Sequence, residues 1–267
     1  MQFNALSCAA DKILIGSAAA DLHYKKNRRG GCGEIEMIQI TWLGHATFQI
    51  QVESGEVLLL DPWVEGNPAY PKTHKIERAD AIAVSHGHGD HMGGVIPLAK
   101  QFGPKVVSIV EIGGWLGSKG VKNIIAFNKG GTVDLGFVKL TMTHALHTSS
   151  ISDGDATLYG GEAASYLLTF KDGRRAFFAG DTAVFSEMAL YAEIYRPELA
   201  FLPIGDYYTM SPEEAAYAAR LLKVKEVIPM HFGTFPLLSG TPTMLEDRLS
   251  GSGIKVLALK PGQTISW

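Results

Sequence analysis

A short stretch of the chain, residues 86–91, carries three histidines and one aspartate in the order His-Gly-His-Gly-Asp-His. It directly follows the apolar run of residues 81–84. Imidazole nitrogens and carboxylate oxygens are good ligands for zinc and for neighbouring divalent metals. The two glycines remove side chains that would hold the rings apart, and they permit unusual backbone angles. The spacing predicts that the first two histidines bind one metal ion, and that Asp90 and His91 point to a second position beside it.

Further candidate ligands come directly after predicted strands elsewhere in the chain. In enzymes built on sheets, the loops beyond one edge of the strands carry the chemistry, because the sheet holds them rigid. Four such loops, counting residues 86–91, can converge on one point. The three later strands and the polar residues that follow them are residues 138–143 with His144 and His147, residues 174–179 with Asp181, and residues 226–230 with His231.

These motifs, in this order, resemble those of the metallo-β-lactamase superfamily. The shared pattern is an HxHxDH motif, a later single histidine, a Gly-Asp-Thr and a final histidine. Other segments resemble a subgroup of small bacterial and archaeal metal-dependent hydrolases, related to ascorbate-phosphate lactonases and to N-acyl-phosphatidylethanolamine phospholipase D. These segments are residues 42–48 (WLGHATF), 60–63 (LDPW), 202–206 (LPIGD) and 230–236 (MHFGTFP). The resemblance covers residues 37–267 and implies an α+β fold, the four-layer αββα sandwich.

The resemblance also implies a centre of two divalent metal ions, with zinc expected and manganese or iron as alternatives. Its ligands carry over to His86, His88 and His147 for the first metal, to Asp90, His91 and His231 for the second, and to Asp181 as the bridge between both. A bound metal lowers the pKa of water from about 15.7 towards about 7. The implied reaction is hydrolysis by a metal-bound hydroxide, and the candidate catalytic residues are Asp90, Asp181 and His45.

Three further polar residues are candidates for roles around this centre. His144 competes with His147 for the third-ligand position, but the family places that ligand just before a small hydroxyl-rich turn, here residues 148–150. His144 is then expected either beside a ligand, supporting it, or packed at the end of its strand. Asp61 is expected to accept a proton from a ligating imidazole and fix its orientation, or else to be a turn aspartate. His45 is expected to contact substrate or a leaving group, with a purely structural histidine as the alternative.

Composition narrows the class of protein. The chain has 267 residues, of which 46% are hydrophobic, and a formal net charge of -3, which suits one globular domain with a sizeable core. The chain has no excess of basic residues that would indicate nucleic-acid binding. It also has no run of about eighteen apolar residues that would indicate a membrane span. Both cysteines, Cys8 and Cys32, precede residue 37, so we expect no thiolate ligand in the site. We also expect a cytoplasmic location, because the rest of the chain has no cysteines for a disulfide framework.

The chain divides at residue 37 in the sequence. Residues 1–36 lack the clean apolar run of a signal peptide and end in a basic, glycine-rich stretch, so we expect a disordered N-terminal extension. Residues 37–267 are expected to form the hydrolase domain.

More than one function is compatible with these motifs. The favoured one is hydrolysis of an ester, a lactone or a phosphodiester of a small or lipid-like molecule. An anionic substrate suits this reading, because two divalent cations, two aspartates and a hydroxide leave the centre about one positive charge. The alternatives are a nuclease of the same fold and a non-catalytic metal-binding or sensor protein. The sequence leaves the oligomeric state open.

Periodicity and turn residues predict the elements that position these loops. A capping serine and a proline predict a helix beginning at residues 211–212, and a helix is expected after the metal motif, with Gly93 and Gly94 in its early part. The loops of residues 64–75 and 152–161 are expected to shape the pocket. Asp206, Tyr207 and Tyr208 follow a predicted strand and are candidates for its lining, with ordinary aromatic packing as the alternative for the two tyrosines. Other strands are predicted at residues 38–42, 47–52, 57–60, 105–110, 121–127, 162–170, 199–203 and 255–259.

Overall fold

The computed structural model describes residues 37–267, so the extension predicted for residues 1–36 lies outside the described residues. The described chain forms sixteen strands. They are β1 (Gln39–Trp42), β2 (Phe48–Gln51), β3 (Val57–Leu60), β4 (Ala81–Ala83), β5 (Lys105–Ile109), β6 (Ile124–Phe127), β7 (Thr132–Asp134), β8 (Val138–His144), β9 (Ser150–Asp153), β10 (Ala156–Tyr159), β11 (Ala164–Phe170), β12 (Arg175–Phe178), β13 (Leu199–Pro203), β14 (Glu226–Met230), β15 (Lys255–Val256) and β16 (Thr264–Ser266).

Fourteen of the strands form two seven-stranded sheets, and β9 and β10 pair separately as a hairpin. The first sheet has the order β16-β1-β2-β3-β4-β5-β6, and the second has the order β15-β14-β13-β12-β11-β8-β7. In the first sheet β3 to β6 are parallel neighbours, and in the second β12 to β15 are. The carboxyl ends of these parallel strands therefore lie at one edge of each sheet, which is where loops can carry a site.

The first sheet is completed by a long-range pairing. Strand β16 pairs antiparallel with β1, with Ile40 opposite Ile265. The side chains of Thr41 and Thr264, which are 223 residues apart in the chain, share a hydrogen bond of 2.8 Å. This edge of the sheet is therefore built from the two ends of the described chain.

The two sheets pack face to face around one apolar core. Phe48 of the first sheet packs edge-on against Phe201 and Phe178 of the second, with ring centroids 4.8 Å and 6.4 Å away. The Tyr166 hydroxyl of the second sheet donates a 2.8 Å hydrogen bond to the carbonyl oxygen of Val84, which follows β4. Full burial of one such aromatic side chain contributes about 1.5–3 kcal/mol. The core therefore fixes the relative position of the strand ends in both sheets.

The described residues form six helices. They are α1 (Gly89–Met92), α2 (Val95–Phe102), α3 (Val110–Ser118), α4 (Glu187–Tyr195), α5 (Pro212–Leu222) and α6 (Pro242–Leu249). Of these, α3, α5 and α6 pack on strands of the sheets, whereas α1 lies within the metal motif. Helix α3 lies on β5 and β6, whereas α5 lies on β13 between α4 and α6. The predicted four-layer αββα sandwich is confirmed. Among residues 37–267, no helix combines the length and the apolar character that crossing a membrane requires.

Helix α5 begins where the sequence predicts. The Ser211 hydroxyl accepts a hydrogen bond from the backbone N–H of Glu214, and the Glu214 carboxylate accepts one from the backbone N–H of Ser211. This reciprocal capping box satisfies two backbone donors that a helix start otherwise leaves free.

The helix expected after the metal motif is divided at Gly93 and Gly94. The backbone N–H of Gly94 donates to the carbonyl oxygen of Pro62 at 2.7 Å, which ties the α1–α2 junction to the loop after β3. A Cβ at position 94 would lie 2.6 Å from that oxygen, so only glycine fits this approach. The two glycines therefore end α1 and hold the metal motif against the neighbouring loop.

Some elements were not predicted. Residues 152–161, expected as a loop, contain most of the β9–β10 hairpin, and α4 and β16 were missed. In α4 Met188 and Ala192 are buried while Leu190 and Ile194 are exposed, so apolar residues occupy more than one face of the helix. Such a helix has no clear apolar stripe, and periodicity does not reveal it.

Adding a methyl group to Gly113 or to Gly114, neighbours in α3, is expected to change stability in opposite directions. A Cβ on Gly113 would lie 2.8 Å from the Cβ of Ala126 in β6, so Gly113→Ala should lower the free energy of unfolding by about 1–3 kcal/mol through overpacking. Gly114 has nothing within 4 Å of an added Cβ, so Gly114→Ala should raise it by up to about 1 kcal/mol through helix propensity. Urea unfolding measures both values, and equal stabilities would contradict the packing of α3 on β6.

Candidate metal centre

The candidate ligands leave the two sheets at the carboxyl ends of their strands. The loops after β3 and β4 belong to the first sheet, and those after β8, β12 and β14 belong to the second. The polar residues that these loops carry are Asp61 after β3, residues 86–91 after β4, His147 after β8, Asp181 after β12 and His231 after β14. The convergence predicted for the four loops is present, and it joins the two sheets.

Three residues of this region have a left-handed backbone, which is uncommon for residues other than glycine. They are His45 (φ 55°), Asp61 (φ 42°) and His231 (φ 56°). The backbone N–H of His231 donates to the carbonyl oxygen of His45 at 3.1 Å, which helps to hold two of them in place. A Cβ on Gly205 would lie 2.1 Å from the carbonyl oxygen of His231, so position 205 accepts only glycine. Backbone strain of this kind concentrates at functional sites.

The Asp181 carboxylate lies at the middle of the cluster and is only 2% exposed. Its Oδ2 atom lies 3.0 Å from His231 Nε2 and 3.3 Å from His91 Nε2. The same oxygen lies 3.7 Å from His147 Nε2 and 3.8 Å from His86 Nε2. One carboxylate is thus surrounded by four imidazole rings that come from three different loops.

Among the described residues, three groups of donor atoms could each hold a metal ion; one of them, Asp61 with His86 and His91, lies behind the cluster, and the other two surround Asp181. His86, His88 and His147 form one group, in which His86 Nε2 and His88 Nδ1 are 2.9 Å apart. The other group consists of His45, Asp90, His91 and His231, and in each group the donor atoms lie within 4.8 Å of one another.

The donor set fits divalent metal ions. Within the cluster, Asp181 Oδ1 and His231 Nδ1 are buried and have no hydrogen-bond partner among the described residues. Such orphaned atoms are costly unless something binds them. Imidazole nitrogens and carboxylate oxygens are suitable ligands for zinc, manganese and iron. Residues 37–267 contain no cysteine that could contribute a thiolate instead.

The electrostatics of the first group favour the form of histidine that binds metals. Burial lowers the pKa of His86, His88 and His147, so each ring is held neutral with a free nitrogen lone pair. In the second group, burial acts to lower the pKa of His91, but the charges of Asp181 and Asp90 raise it well above its usual value. The clustered carboxylates therefore attract a cation to this position.

Asp61 orients the His91 ring through a contact with its Nδ1 atom, on the side away from Asp181. It is fully buried, and its Oδ2 lies 2.8 Å from His91 Nδ1. The backbone N–H of Ser85 donates to Asp61 Oδ1 at 2.7 Å, and the Ser85 hydroxyl donates to Oδ2. These bonds fix the His91 ring so that Nε2 is turned towards Asp181. The sequence singled out Asp61 but not Ser85, although Ser85 directly precedes the metal motif.

His45 occupies a different place from the one expected for a residue that touches substrate. Its side chain is fully buried, with Nδ1 3.0 Å from Thr234 Oγ1 and Nε2 3.0 Å from Asp90 Oδ2. Burial lowers the pKa of His45 to about 4, so the ring is neutral. A carboxylate only accepts hydrogen bonds, so Nε2 carries the proton and donates to Asp90. The structure thus places His45 behind Asp90, out of reach of a substrate.

His144 does not support any ligand. Its Nδ1 lies 3.1 Å from Lys129 Nζ, and its ring packs edge-on against Phe185 with centroids 5.1 Å apart. The structure places this ring at the end of β8, against Lys129 and Phe185, which corresponds to the alternative of packing at the strand end. His147 lies three residues further along the chain and is the residue that joins the cluster.

A pocket of about 680 Å³ opens onto the cluster. The loops of residues 64–75 and 152–161, expected to shape it, contribute none of its lining residues. Of the candidates Asp206, Tyr207 and Tyr208, only Tyr208 lines it. Trp63, Phe235, Pro236 and Leu237 were missed, although Trp63 lies within the motif LDPW, Phe235 and Pro236 lie within MHFGTFP, and Leu237 directly follows that motif. The lining consists of Trp63, His88, Gly89, Asp90, His147, Thr148, Asp181, Tyr208, His231, Phe235, Pro236 and Leu237.

Known proteins are similar to this chain in both sequence and fold. The Beta-lactamase superfamily domain matches residues 57–232. A UPF0173 metal-dependent hydrolase of Solibacter usitatus is 56% identical over 230 residues, which are 86% of this chain and 100% of that protein. Another, from Koribacter versatilis, is 49% identical over 234 residues, covering 87% of this chain and 100% of that protein.

A solved structure extends the comparison to the fold. Igni18, a metallo hydrolase from the hyperthermophilic archaeon Ignicoccus hospitalis, is 32% identical and superposes with a TM-score of 0.76, covering 86% of this chain and 98% of that one. Sequence motifs, layer order and relatives agree. The chain belongs to the UPF0173 metal-dependent hydrolases of the beta-lactamase superfamily.

Proposed function

We propose that this protein hydrolyses an ester, lactone or phosphodiester bond of a small or lipid-like molecule at a centre of two divalent metal ions. The observation that carries the proposal is the position of Asp181. Its Oδ2 lies within 3.8 Å of imidazole nitrogens from both groups of donors. Asp181 also lines the pocket. A carboxylate placed in this way can contribute an oxygen to each of two neighbouring cations.

The residues divide between the two ions as the family pattern implies. His86, His88 and His147 would hold the first ion, Asp90, His91 and His231 would hold the second, and Asp181 would bridge them. When bound, such ions supply an activated water and polarise the scissile carbonyl or phosphoryl oxygen. Zinc is the metal we propose, since neutral imidazoles dominate the first group.

The remaining polar residues orient these ligands. Asp61 accepts a hydrogen bond from Nδ1–H of His91, so the Nε2 atom of that ring is the one that faces Asp181 and could bind a metal ion. His45 donates to Asp90 Oδ2 and is itself fixed by Thr234. Contacts of this kind set the orientation and basicity of metal ligands. The chain thereby prepares the ligand positions before any ion or substrate arrives.

The alternatives find less support in the site. A nuclease needs cationic side chains along its substrate path, and none of the described pocket-lining residues is a lysine or an arginine. A non-catalytic sensor needs no substrate pocket, whereas here the donor groups line one. We therefore propose hydrolysis of a small molecule.

Zinc returned to chelator-treated protein is expected to bind at two ions per chain and to stabilise the fold. At free zinc one hundred times its Kd, one site adds about 2.7 kcal/mol to the free energy of unfolding, because the ion binds only the folded cluster. Metal analysis after desalting and thermal unfolding measure the two effects. A single ion per chain, or no change in Tm, would count against the dinuclear centre.

Replacing the bridging carboxylate, Asp181→Ala, is expected to lower kcat/KM by more than about 100-fold, beyond what loss of an outer contact costs. The measurement is hydrolysis of a panel containing a simple ester, a lactone and a phosphodiester by zinc-loaded protein. Asp134→Ala, which removes an exposed carboxylate in β7, is the control and should match the unchanged protein. Full turnover by Asp181→Ala would rule out the proposed bridge.

Substituting the carboxylate beneath His91, Asp61→Asn, is expected to lower zinc affinity or activity by about 10–100-fold, since His91 loses a charged acceptor. Asp80→Asn is a matched control: Asp80 accepts from the backbone N–H of Val57 and from Arg78, outside the cluster. Competition with a zinc chelator gives the affinity. If both variants retained the same affinity, Asp61 would have no part in orienting His91.

A further inference from the structure

We propose that the part of the substrate remote from the scissile bond is uncharged and apolar, and that the substrate is a hydrophobic carboxylic ester, open or cyclic. This inference rests on the proposed hydrolytic function and narrows its substrate class. It comes from one side of the pocket, which we call the apolar wall and which consists of Trp63, Phe235 and Leu237.

The two aromatic residues of the apolar wall are held in place by contacts within the protein. The rings of Trp63 and Phe235 stack with centroids 5.8 Å apart and an interplanar angle of 27°. Both pack edge-on against the buried His45 ring, at 5.2 Å and 5.5 Å. The backbone N–H of Trp63 also donates to Thr47 Oγ1 at 3.0 Å. A fixed aromatic surface binds an apolar group at little cost in conformational entropy.

Charge in the pocket is confined to the metal-binding end. The ionisable groups among the described lining residues are Asp90, Asp181, three imidazoles and the Tyr208 phenol. No lysine or arginine is present there to hold a second anionic group such as a phosphate or a carboxylate, which proteins usually bind through those side chains. An anionic tail on the substrate would therefore lie against aromatic carbon and lose hydration without a partner.

The mouth of the pocket points to the same class of substrate. Leu237 and Tyr208 are each 50% exposed, although both are large and apolar over most of their surface. Tyr208 follows Asp206 and Tyr207, two consecutive non-glycine residues with a left-handed backbone (φ 65° and 58°). The chain thus maintains a strained turn that presents a ring at the pocket, and such strain is typical of ligand-binding segments. A hydrophobic substrate covers the exposed apolar surface.

The size of the pocket suits this substrate. A volume of about 680 Å³ falls within the range of about 300–1,000 Å³ for small-molecule sites. It holds a reacting carbonyl group at the metal-binding end together with an aliphatic or aromatic substituent along the apolar wall.

The test compares two esters that differ only at the remote end. Zinc-loaded, full-length protein is assayed with the 4-nitrophenyl ester of hexanoic acid and with the mono-4-nitrophenyl ester of adipic acid, whose chain ends in a carboxylate instead of a methyl group. Bis(4-nitrophenyl) phosphate is the third substrate. We expect kcat/KM for the hexanoate to exceed that for the adipate and that for the phosphodiester by about tenfold or more, as for other substituents read by an apolar pocket.

A charge added to the apolar wall should shift this preference. Leu237→Arg supplies the missing cation, so the ratio of hexanoate to adipate should fall by about fivefold, the upper range for a partly exposed ion pair. Leu190→Arg is the matched control, because Leu190 in α4 is also 50% exposed but does not line the pocket, and its ratio should stay at the original value.

The outcomes separate this inference from the proposed function. Turnover with equal rates on the two esters, or with preference for the adipate or the phosphodiester, would overturn the hydrophobic substrate class and leave the hydrolase intact. Absence of turnover on all three substrates, with two zinc ions bound, would count against the proposed function and this inference together.

Discussion

The structure depends on burying one carboxylate. Asp181 is almost entirely removed from solvent, and an isolated carboxylate in such a place is costly by several kcal/mol. Its burial is tolerated because His231 and His91 surround it, and although burial acts to raise the pKa of Asp181, these rings hold that pKa well below its usual value. The requirement for partners on several sides explains why loops of both sheets must end at one place.

The fold meets this requirement with buried hydrogen bonds and local strain. Asp61 and Ser85 tie the loop after β3 to the loop after β4. His45 and Thr234 tie the β1–β2 turn to the loop after β14. Each tie crosses between loops and involves groups with little access to water, where hydrogen bonds are strong and an unmade one is costly. The left-handed backbone at several of these positions is stable because the ties over-determine it.

The sequence was sufficient, through its resemblance to a known family, for the fold class and for the residues that meet in the cluster, whereas the pattern of strands and helices alone indicates only a mixed α and β chain. Candidate ligands follow strands directly, so short spacing rules predict them, and the strands themselves are apolar runs of ordinary length. Roles that depend on distant residues could not be read in this way. His45 is oriented by Thr234, which is 189 residues away. His144 is the last residue of β8 and His147 lies three residues beyond it, so the position at which the strand ends determines which of the two rings reaches the cluster around Asp181.

The pocket was harder to anticipate for the same reason. Trp63 and Phe235 are 172 residues apart in the printed sequence, yet their rings stack, and no local pattern distinguishes such a pair from ordinary core aromatics. The two loops that the sequence suggested, residues 64–75 and 152–161, contribute no lining residue. Lining residues are therefore set by tertiary packing around the cluster and not by loop length.

The pairing of β1 with β16 determines when the first sheet can be completed during synthesis of the chain. During synthesis the strands β1 to β6 emerge first, but the partner that the outer edge of β1 has among residues 37–267 is β16, residues 264–266, which is made last. An unpaired edge of this kind is a template for association with other chains, and contacts so distant in sequence form slowly. The first sheet is therefore completed only after every strand of the second sheet has been made.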